Sequence, residues 1–259
     1  MRPTPFTRIM LGVLCCCLAL GSGFITASDT PVFAPRVETL PSRTQTSAEK
    51  ALAEAIRTNN PGAFDQFRQS LRSTPHPYTT YWLGYTSLYE SIYYLQKGDK
   101  PQAEKVVLGG IRLLEEQPTR SSEYYALLAY LQSYAIQFRF GLGASLAASR
   151  VKRNANEALK LDPRNPRAYY VLGSTDFYTP TRYGGGTTAE GYLLKVLSLP
   201  EQAVKNALAP SWGKENAYEL LVRFYLRQKQ PARARAYYQK ARQLYPNSYA
   251  LKTLAKNFV

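Results

Sequence analysis

One stretch of the chain, residues 217–246, constrains the fold more than any other. It contains two sets of regularly spaced residues. The first set, separated by three, one and three positions, is Tyr218, Leu221, Val222 and Tyr225. The second set, separated by four, three and five positions, is Ala234, Tyr238, Ala241 and Pro246. Residues three or four apart share one face of a helix, so each half of the stretch predicts a helix with an apolar face. Two antiparallel helices joined by a tight turn need a large residue, a small residue and an aromatic residue on their facing sides. The stretch therefore predicts a pair of antiparallel helices.

The same register recurs upstream and divides most of the chain into helix pairs. Gly84 and Ala103 repeat it, although Ala103 lies seven residues late. Seven residues are two helical turns, so the first helix of that pair is expected to be longer by about 10 Å. The predicted pairs cover about 48–72 (first helix 48–57), 77–117, 121–163, 165–199 and 214–246, and a capping helix covers 247–259.

Two turns depart from the common register. Residues 139–145 (RFGLGAS) predict a turn broken by glycine in the third pair. Residues 179–186 (TPTRYGGG) expand the turn of the fourth pair by four residues, and Asp176 stands where an aromatic residue is expected.

These segments resemble tetratricopeptide repeats over about residues 48–259, with Tyr replacing Trp and Phe and with Val222 replacing Gly. The resemblance implies an all-α fold, a right-handed superhelix of antiparallel helix pairs with a C-terminal capping helix. The RYGGG turn, with PSWG further on, is also similar to exported bacterial repeat proteins. The resemblance implies a protein-binding role and supplies no catalytic residue.

The N-terminal residues 1–27 predict a signal peptide. Arg2 and Arg8 flank the start of an apolar run, 9–20, that is too short to span a membrane. Cleavage after Ala27 fits the small residues there, with Gly23 as the alternative site. A retained anchor or a buried core helix is the other interpretation. The expected location is the periplasm or cell envelope.

The residues after the predicted signal peptide are divided into a flexible segment and one helical domain. Residues 28–46, rich in Pro, Ser and Thr, are expected to be flexible, and 47–259 to form a single helical domain. All 3 Cys (Cys15, Cys16 and Cys17) lie in the apolar run, so the cleaved chain would have neither disulfides nor thiolate chemistry. Leu14 before the first Cys disfavours lipidation, which stays open.

The resemblance also locates a candidate binding groove. In this repeat the first helix of each pair lines a concave groove at positions two, five, nine and thirteen of the unit, which share one helical face. The second pair places Tyr78, Tyr81, Tyr85 and Tyr89 there; the fourth places Arg167, Tyr170, Ser174 and Tyr178; the fifth places Asn216, Glu219, Arg223 and Arg227. Rigid aromatic rings with hydrogen-bonding phenols suit a protein or peptide partner. Packing of the tyrosines against neighbouring helices is the equally weighted alternative.

The charge is strongly basic, with 33 Lys+Arg against 18 Asp+Glu and a formal net charge of +15. From residue 220 to residue 259 there are nine basic residues and no acidic one. Such a field attracts acidic peptides or an anionic envelope surface. A solvated basic face is the alternative, and nucleic acid is disfavoured because no recognised binding motif is present.

A second candidate site is the glycine-rich turn of the fourth pair, formed by Arg182, Tyr183, Gly184, Gly185 and Gly186. Successive backbone N–H groups at the start of a helix can bind an anion or a small ligand. The structural alternative is a turn that needs positive φ. The turn lacks the Lys of a nucleotide-binding loop, so nucleotide binding is disfavoured.

No constellation for catalysis or for a metal is recognisable. His76 is the single His of the chain and stands between two prolines, and no Ser/His/Asp arrangement can be assigned around it. The sequence therefore predicts neither an enzyme nor a cofactor-binding protein.

Overall fold

The structure, a computed structural model, describes residues 43–73, 76–200 and 208–258, and these residues form an all-α fold. The predicted signal peptide and most of the predicted flexible segment lie outside the described residues. The α-helices of the described residues are α1 Arg43–Thr58, α2 Gly62–Ser73, α3 Thr79–Gln96, α4 Lys100–Glu115, α5 Ser122–Ala135, α6 Gly141–Leu161, α7 Pro166–Tyr178, α8 Ala189–Ser198, α9 Lys214–Arg227, α10 Pro231–Leu244 and α11 Tyr249–Leu254. Short 3₁₀ turns lie at Ile136–Phe138, Thr181–Tyr183 and Ala255–Asn257.

The helices pack as successive pairs, which confirms the predicted α-solenoid. The pairs are α1 with α2, α3 with α4, α5 with α6, α7 with α8, and α9 with α10. The first helices also contact one another in sequence, from α1 to α3, α5, α7 and α9. Because the first helices are neighbours, their side chains form one continuous surface.

Small residues at the predicted positions let each pair pack closely. A Cβ on Gly84 would lie 3.1 Å from Leu114, and one on Gly173 would lie 3.1 Å from Leu193. Both distances are tighter than ordinary van der Waals contact, so glycine is what allows α4 and α8 to approach their partners. The corresponding alanines of the second helices are fully buried: Ala103, Ala189 and Ala234.

The predicted lengthening of the first helix of the second pair is confirmed. Helix α3 continues twelve residues beyond Gly84, whereas α9 continues five beyond Val222. The next helix keeps its register because Asp99 ends the turn and accepts a hydrogen bond from the Gln102 N–H at 3.0 Å. This N-cap satisfies one of the free N–H groups of α4.

Two predicted boundaries were wrong. Helix α1 begins at Arg43 rather than at Ala48, so residues 43–46 of the predicted flexible segment form its first turn. Helix α6 begins at Gly141, so only residues 139 and 140 remain of the predicted turn over 139–145. Gly141 has a φ of 52°, which a glycine adopts without strain and which allows the helix to start directly after an extended residue.

The C-terminal pair has the predicted core. Tyr218, Leu221 and Tyr225 are buried. Tyr238 is half-buried, and its ring stacks on Phe258 at a centroid distance of 4.7 Å. The chain after α10 therefore covers the outer side of the last pair, as a capping segment does.

Candidate functional site

The predicted groove residues of α3, α7 and α9, together with the equivalent residues of α5, form one surface, which we call the groove face. It is defined by four side chains at each of four first helices: Tyr78, Tyr81, Tyr85 and Tyr89 at α3; Glu123, Ala126, Tyr130 and Tyr134 at α5; Arg167, Tyr170, Ser174 and Tyr178 at α7; and Asn216, Glu219, Arg223 and Arg227 at α9. The face is mainly aromatic on α3 and α5, and it carries charged side chains on α7 and α9. It is the natural candidate site of the molecule.

A part of the chain itself lies on the groove face. Residues 208–213, which we call the groove segment, precede α9 and run across the first helices. Trp212 is its anchor and is only 4% exposed. Its indole Nε1–H donates a hydrogen bond to the Tyr81 hydroxyl at 2.7 Å.

Three further tyrosines enclose the indole ring of Trp212. Tyr130 stacks on it at a centroid distance of 4.9 Å, and Tyr85 lies roughly parallel at 6.3 Å. Tyr170 meets it edge-on at 6.1 Å. Stacked and edge-on geometries are both favourable for aromatic pairs, so the indole is held by rings from α3, α5 and α7 together.

Polar contacts hold the rest of the groove segment. The Trp82 Nε1–H donates to the Leu208 carbonyl at 2.7 Å. The Gln45 side-chain oxygen accepts from the Ser211 N–H at 3.2 Å and from its hydroxyl at 3.0 Å. Backbone groups bound by side chains of the first helices, around one buried aromatic anchor, are how a groove holds a peptide.

Gly213 ends the groove segment and leads into α9. Its φ of 117° lies in a region that favours glycine. The Asn216 side chain accepts a hydrogen bond from the Gly213 N–H at 2.9 Å, so this groove-face residue caps α9.

The predicted groove tyrosines divide into two groups. Tyr81, Tyr85 and Tyr170 are buried beneath Trp212. They lie on the groove face, as the first interpretation of the sequence predicts, and they are also packed, as the second predicts. Burial raises the pKa of all three phenols well above the ordinary value, which keeps them protonated. Burial also raises the pKa of Tyr130 to about 12. Tyr78, Tyr89 and Tyr178 are half-buried.

Arg167 does not face solvent in the groove. Its side chain is 3% exposed and binds both carboxylate oxygens of Glu123, through Nε and Nη2. Its Nη1 also lies 3.4 Å from the Trp212 carbonyl oxygen. The prediction that Arg167 is presented to a partner is corrected, because the guanidinium is used within the fold.

Arg223 and Arg227 lie at the edge of the groove face. Arg223 pairs with the buried Glu219, with Nη2 2.8 Å from the carboxylate oxygen, and its side chain is 27% exposed. Arg227 donates from Nη1 to the Phe177 carbonyl at 2.7 Å, and its guanidinium lies 3.8 Å from the Phe177 ring centroid. Arg227 is exposed, so one of its faces remains accessible.

Glu49 on α1 adds a titratable group beside the groove segment. It accepts a hydrogen bond from Gln45, the residue that binds Ser211, at 3.1 Å. Burial and the nearby Glu215 raise the pKa of Glu49 from 4.5 to about 7, against the lowering effect of the Gln45 hydrogen bond. The carboxyl group is therefore protonated more readily in the folded chain than in the unfolded one.

We expect the free energy of unfolding to fall by about 2–3 kcal/mol as the pH rises from 4.5 to 7 because of Glu49. The sign follows from a folded-state pKa that is higher than the unfolded-state pKa, since the fold then prefers the protonated form. Denaturant unfolding at a series of pH values measures the slope. Glu49→Gln should reduce the slope, and the raised pKa of Glu215 and Glu219 should leave a remainder. An unchanged slope in the variant would contradict the assignment to Glu49.

The glycine-rich turn uses its backbone N–H groups internally. Those of Tyr183 and Gly185 donate to the Pro180 carbonyl, and those of Gly184 and Gly186 to the Thr181 and Asp176 carbonyls. The nest of N–H groups that the sequence predicted is thus directed at carbonyls of the same loop. Arg182 stacks on Tyr183 at 4.9 Å, and both are exposed.

The structural interpretation of this turn has direct support. Gly184 and Gly186 have φ of 82° and 81°. A Cβ on Gly185 would lie 1.9 Å from the Thr179 carbonyl oxygen, so no other residue fits. Asp176 closes the turn, because its Oδ2 accepts from the N–H groups of Thr188 and Ala189 at 2.9 and 2.8 Å. This explains the acid at a position where the repeat has an aromatic residue, since it caps α8.

The described residues also lack two other kinds of feature. They contain no group of three or more His, Cys, Asp or Glu side chains arranged to hold a metal ion. None of their helices has both the length and the apolar character needed to cross a membrane.

Sequence reasoning missed the groove-face residues of α5, and it also missed Trp212 and Gln45. Tyr130 could have been predicted from the sequence. If Ala129 is taken as the small position of the repeat, Tyr130 follows it and occupies the position that Tyr85 has in α3. Trp212 and Gln45 carried no such signal. They lie outside the helix register that had been read, and only the folded chain brings them together.

The C-terminal part of the chain matches a known repeat family. A family model of the tetratricopeptide repeat matches residues 215–256. Among solved structures, PilF of Pseudomonas aeruginosa is similar over 69% of this chain and 70% of that chain, with 21% sequence identity and a TM-score of 0.37. No curated protein matches the sequence.

The paired helices and the groove face define a helical repeat protein, a class that generally serves as a scaffold for protein interactions. The family model identifies the repeat at residues 215–256 as a tetratricopeptide repeat.

Proposed function

We propose that this protein is a non-enzymatic scaffold that binds an extended segment of a partner protein on its groove face. One observation carries the proposal: the groove segment lies on that face, and side chains of α1, α3, α5 and α7 hold it. A surface that binds one extended segment within the chain has the rings and polar groups that a second segment needs.

The partner segment is proposed to bind beside Trp212 rather than in its place. Tyr89 and Tyr178 are half-buried and Arg227 is exposed, so this edge of the groove face offers both ring area and charge. The Tyr89 hydroxyl lies 3.1 Å from that of Tyr85, which contacts Trp212, so the edge is continuous with the groove segment. An acidic partner segment fits the exposed Arg227 and the basic stretch from residue 220 onward.

Site-specific photocrosslinking in the native host tests this proposal. A photoreactive phenylalanine at Tyr89 or Tyr178 should give one discrete protein adduct. The same probe at Tyr183, which is 70% exposed but belongs to the glycine-rich turn, is the matched control. A crosslink only at Tyr183 would move the binding site from the groove face to that turn.

Substitutions then test affinity for the crosslinked partner. Tyr89→Ser and Arg227→Gln should each weaken binding about tenfold, which corresponds to about 1.4 kcal/mol. Tyr183→Ser and Lys240→Gln, both at exposed residues that are not part of the groove face, should leave it unchanged. Equal affinities for all four variants would overturn the proposal.

The proposal includes export, with removal of residues 1–27 and a location in the periplasm or cell envelope. The support is the basic, then apolar, then small-residue order of the N-terminal sequence. The protein isolated from an envelope fraction should begin at Ser28. A chain that begins at Met1 and stays with the cytoplasmic fraction would contradict export.

A further inference from the structure

The start of α6 exposes three large apolar side chains, which we call the apolar tip. Phe140 is 74% exposed, Leu142 is 76% exposed and Leu146 is 56% exposed. The other large hydrophobic residues exposed among the described residues are Leu161, Tyr183 and Leu244, which are separated from the apolar tip in sequence. Three such side chains within seven residues form a patch, whereas single exposed hydrophobic residues are normal.

The apolar tip extends beyond the core. Helix α6 has 21 residues, compared with 14 in its partner α5. The first buried residue of α6 is Val151, so about ten residues, or about 15 Å of helix, precede its first fully covered position. The tip is therefore the exposed end of α6, and it adjoins the cleft that Ala147 and Arg150 line together with α4 and α5.

Basic residues continue the same face of α6. Arg153 follows Leu146 by seven residues and Leu142 by eleven, and both intervals return to one side of a helix. Arg150, Lys152 and Arg153 are all exposed, and no acidic residue occurs from 140 to 156. Lys100 adds a cation next to the tip, with its ammonium 5.2 Å from the Phe140 ring centroid.

We infer that the apolar tip docks on the surface of a membrane that contains anionic lipids. The three side chains would enter the boundary between headgroups and acyl chains, and the basic residues behind them would meet the phosphates. This combination favours a lipid surface over a protein partner. A tip of three side chains offers much less area than the roughly 800 Å² per partner of a stable protein interface.

This mode of attachment is peripheral, since the described helices include none that could cross the bilayer. It is independent of the proposed groove function, because the tip belongs to α6 and the groove face to the first helices. The protein would thus be held at a membrane surface while its groove face stays available.

Vesicle co-sedimentation of the protein as purified from its host tests the inference. It should bind vesicles of phosphatidylethanolamine and phosphatidylglycerol and bind phosphatidylcholine vesicles at least about tenfold more weakly. The variant Phe140→Ser/Leu142→Ser/Leu146→Ser should lose at least about tenfold in partitioning to the anionic vesicles. Leu161→Ser/Leu244→Ser, which removes leucines that are 57% and 50% exposed elsewhere, is the matched control and should bind like the wild type.

A second variant tests the charges separately. Arg150→Gln/Lys152→Gln/Arg153→Gln should also weaken binding and should remove much of its dependence on salt. The substituted side chains are exposed, so circular dichroism should confirm an unchanged fold in every variant. Wild-type partitioning by the tip variant, or equal binding to both kinds of vesicle, would overturn the inference. So would a tip variant that loses a protein partner while it keeps its vesicle binding.

The test separates this inference from the groove proposal. The tip variant should keep the adduct crosslinked at Tyr89, and Tyr89→Ser should keep vesicle binding. If the tip variant keeps vesicle binding, the membrane inference alone has failed; if Tyr89→Ser keeps full partner affinity, the groove proposal alone has failed.

Discussion

Replacing Trp212 with alanine is expected to lower the free energy of unfolding by about 3–5 kcal/mol. The substitution removes a buried ring that contacts α3, α5 and α7 at once, and it leaves the buried Tyr81 hydroxyl without its donor. Urea unfolding followed by far-ultraviolet circular dichroism measures the loss.

Two companion variants make this result specific. Trp212→Phe keeps an aromatic ring but removes the N–H donor and part of the ring area, so it should cost about 1–3 kcal/mol. Tyr183→Ala removes an exposed aromatic residue and should change stability by no more than about 0.5 kcal/mol. If Trp212→Ala cost as little as Tyr183→Ala, the groove segment would not be held by its anchor.

Arg167→Met is expected to cost about 3–5 kcal/mol, because it leaves the Glu123 carboxylate partly buried without its partner. The Glu123 side chain is 16% exposed, and its other side-chain hydrogen bond comes from Asn165, at 3.2 Å. The double variant Glu123→Leu/Arg167→Met should cost far less than the sum of the two single variants, since it removes both charges together. Denaturant unfolding of all four proteins gives the coupling energy.

The same cycle separates a structural Arg167 from a partner-contacting one. A structural residue loses partner affinity only in proportion to the fraction of unfolded protein, and the double variant should recover binding. If Arg167→Met were as stable as the wild type and yet lost the partner, Arg167 would contact the partner directly.

Much of the fold was predictable because it rests on local spacing. The helical spacing of apolar residues that begins at Tyr218 determines which side of each helix is buried. Gly84 and Gly173 show that the same spacing applies to earlier pairs. The start of α1 was not predictable in this way. Residues 43–46 have no strong helix signal, and Thr44 and Gln45 are buried by packing that includes the groove segment. Tertiary contact therefore extends this helix beyond its local preference.

The candidate site was predictable only in part. Spacing identified the side of α3 and α7 on which Tyr81, Tyr85 and Tyr170 stand, but the same spacing is compatible with a groove and with a core. Trp212, which covers these tyrosines, comes from a stretch with no periodic spacing of apolar residues. No pattern within residues 208–213 indicates an aromatic anchor, because the contact that defines it joins residues 131 positions apart.

The groove segment also bears on how the chain acquires its structure. In most solenoids each repeat contacts only its neighbours, so short segments can fold on their own. Here Trp82 is bonded to a residue 126 positions away, and Gln45 to one 166 positions away. Such long-range closures slow folding and tie distant pairs into one cooperative unit. During synthesis from the N-terminus, the aromatic rings of α3, α5 and α7 stay uncovered until Trp212 has left the ribosome.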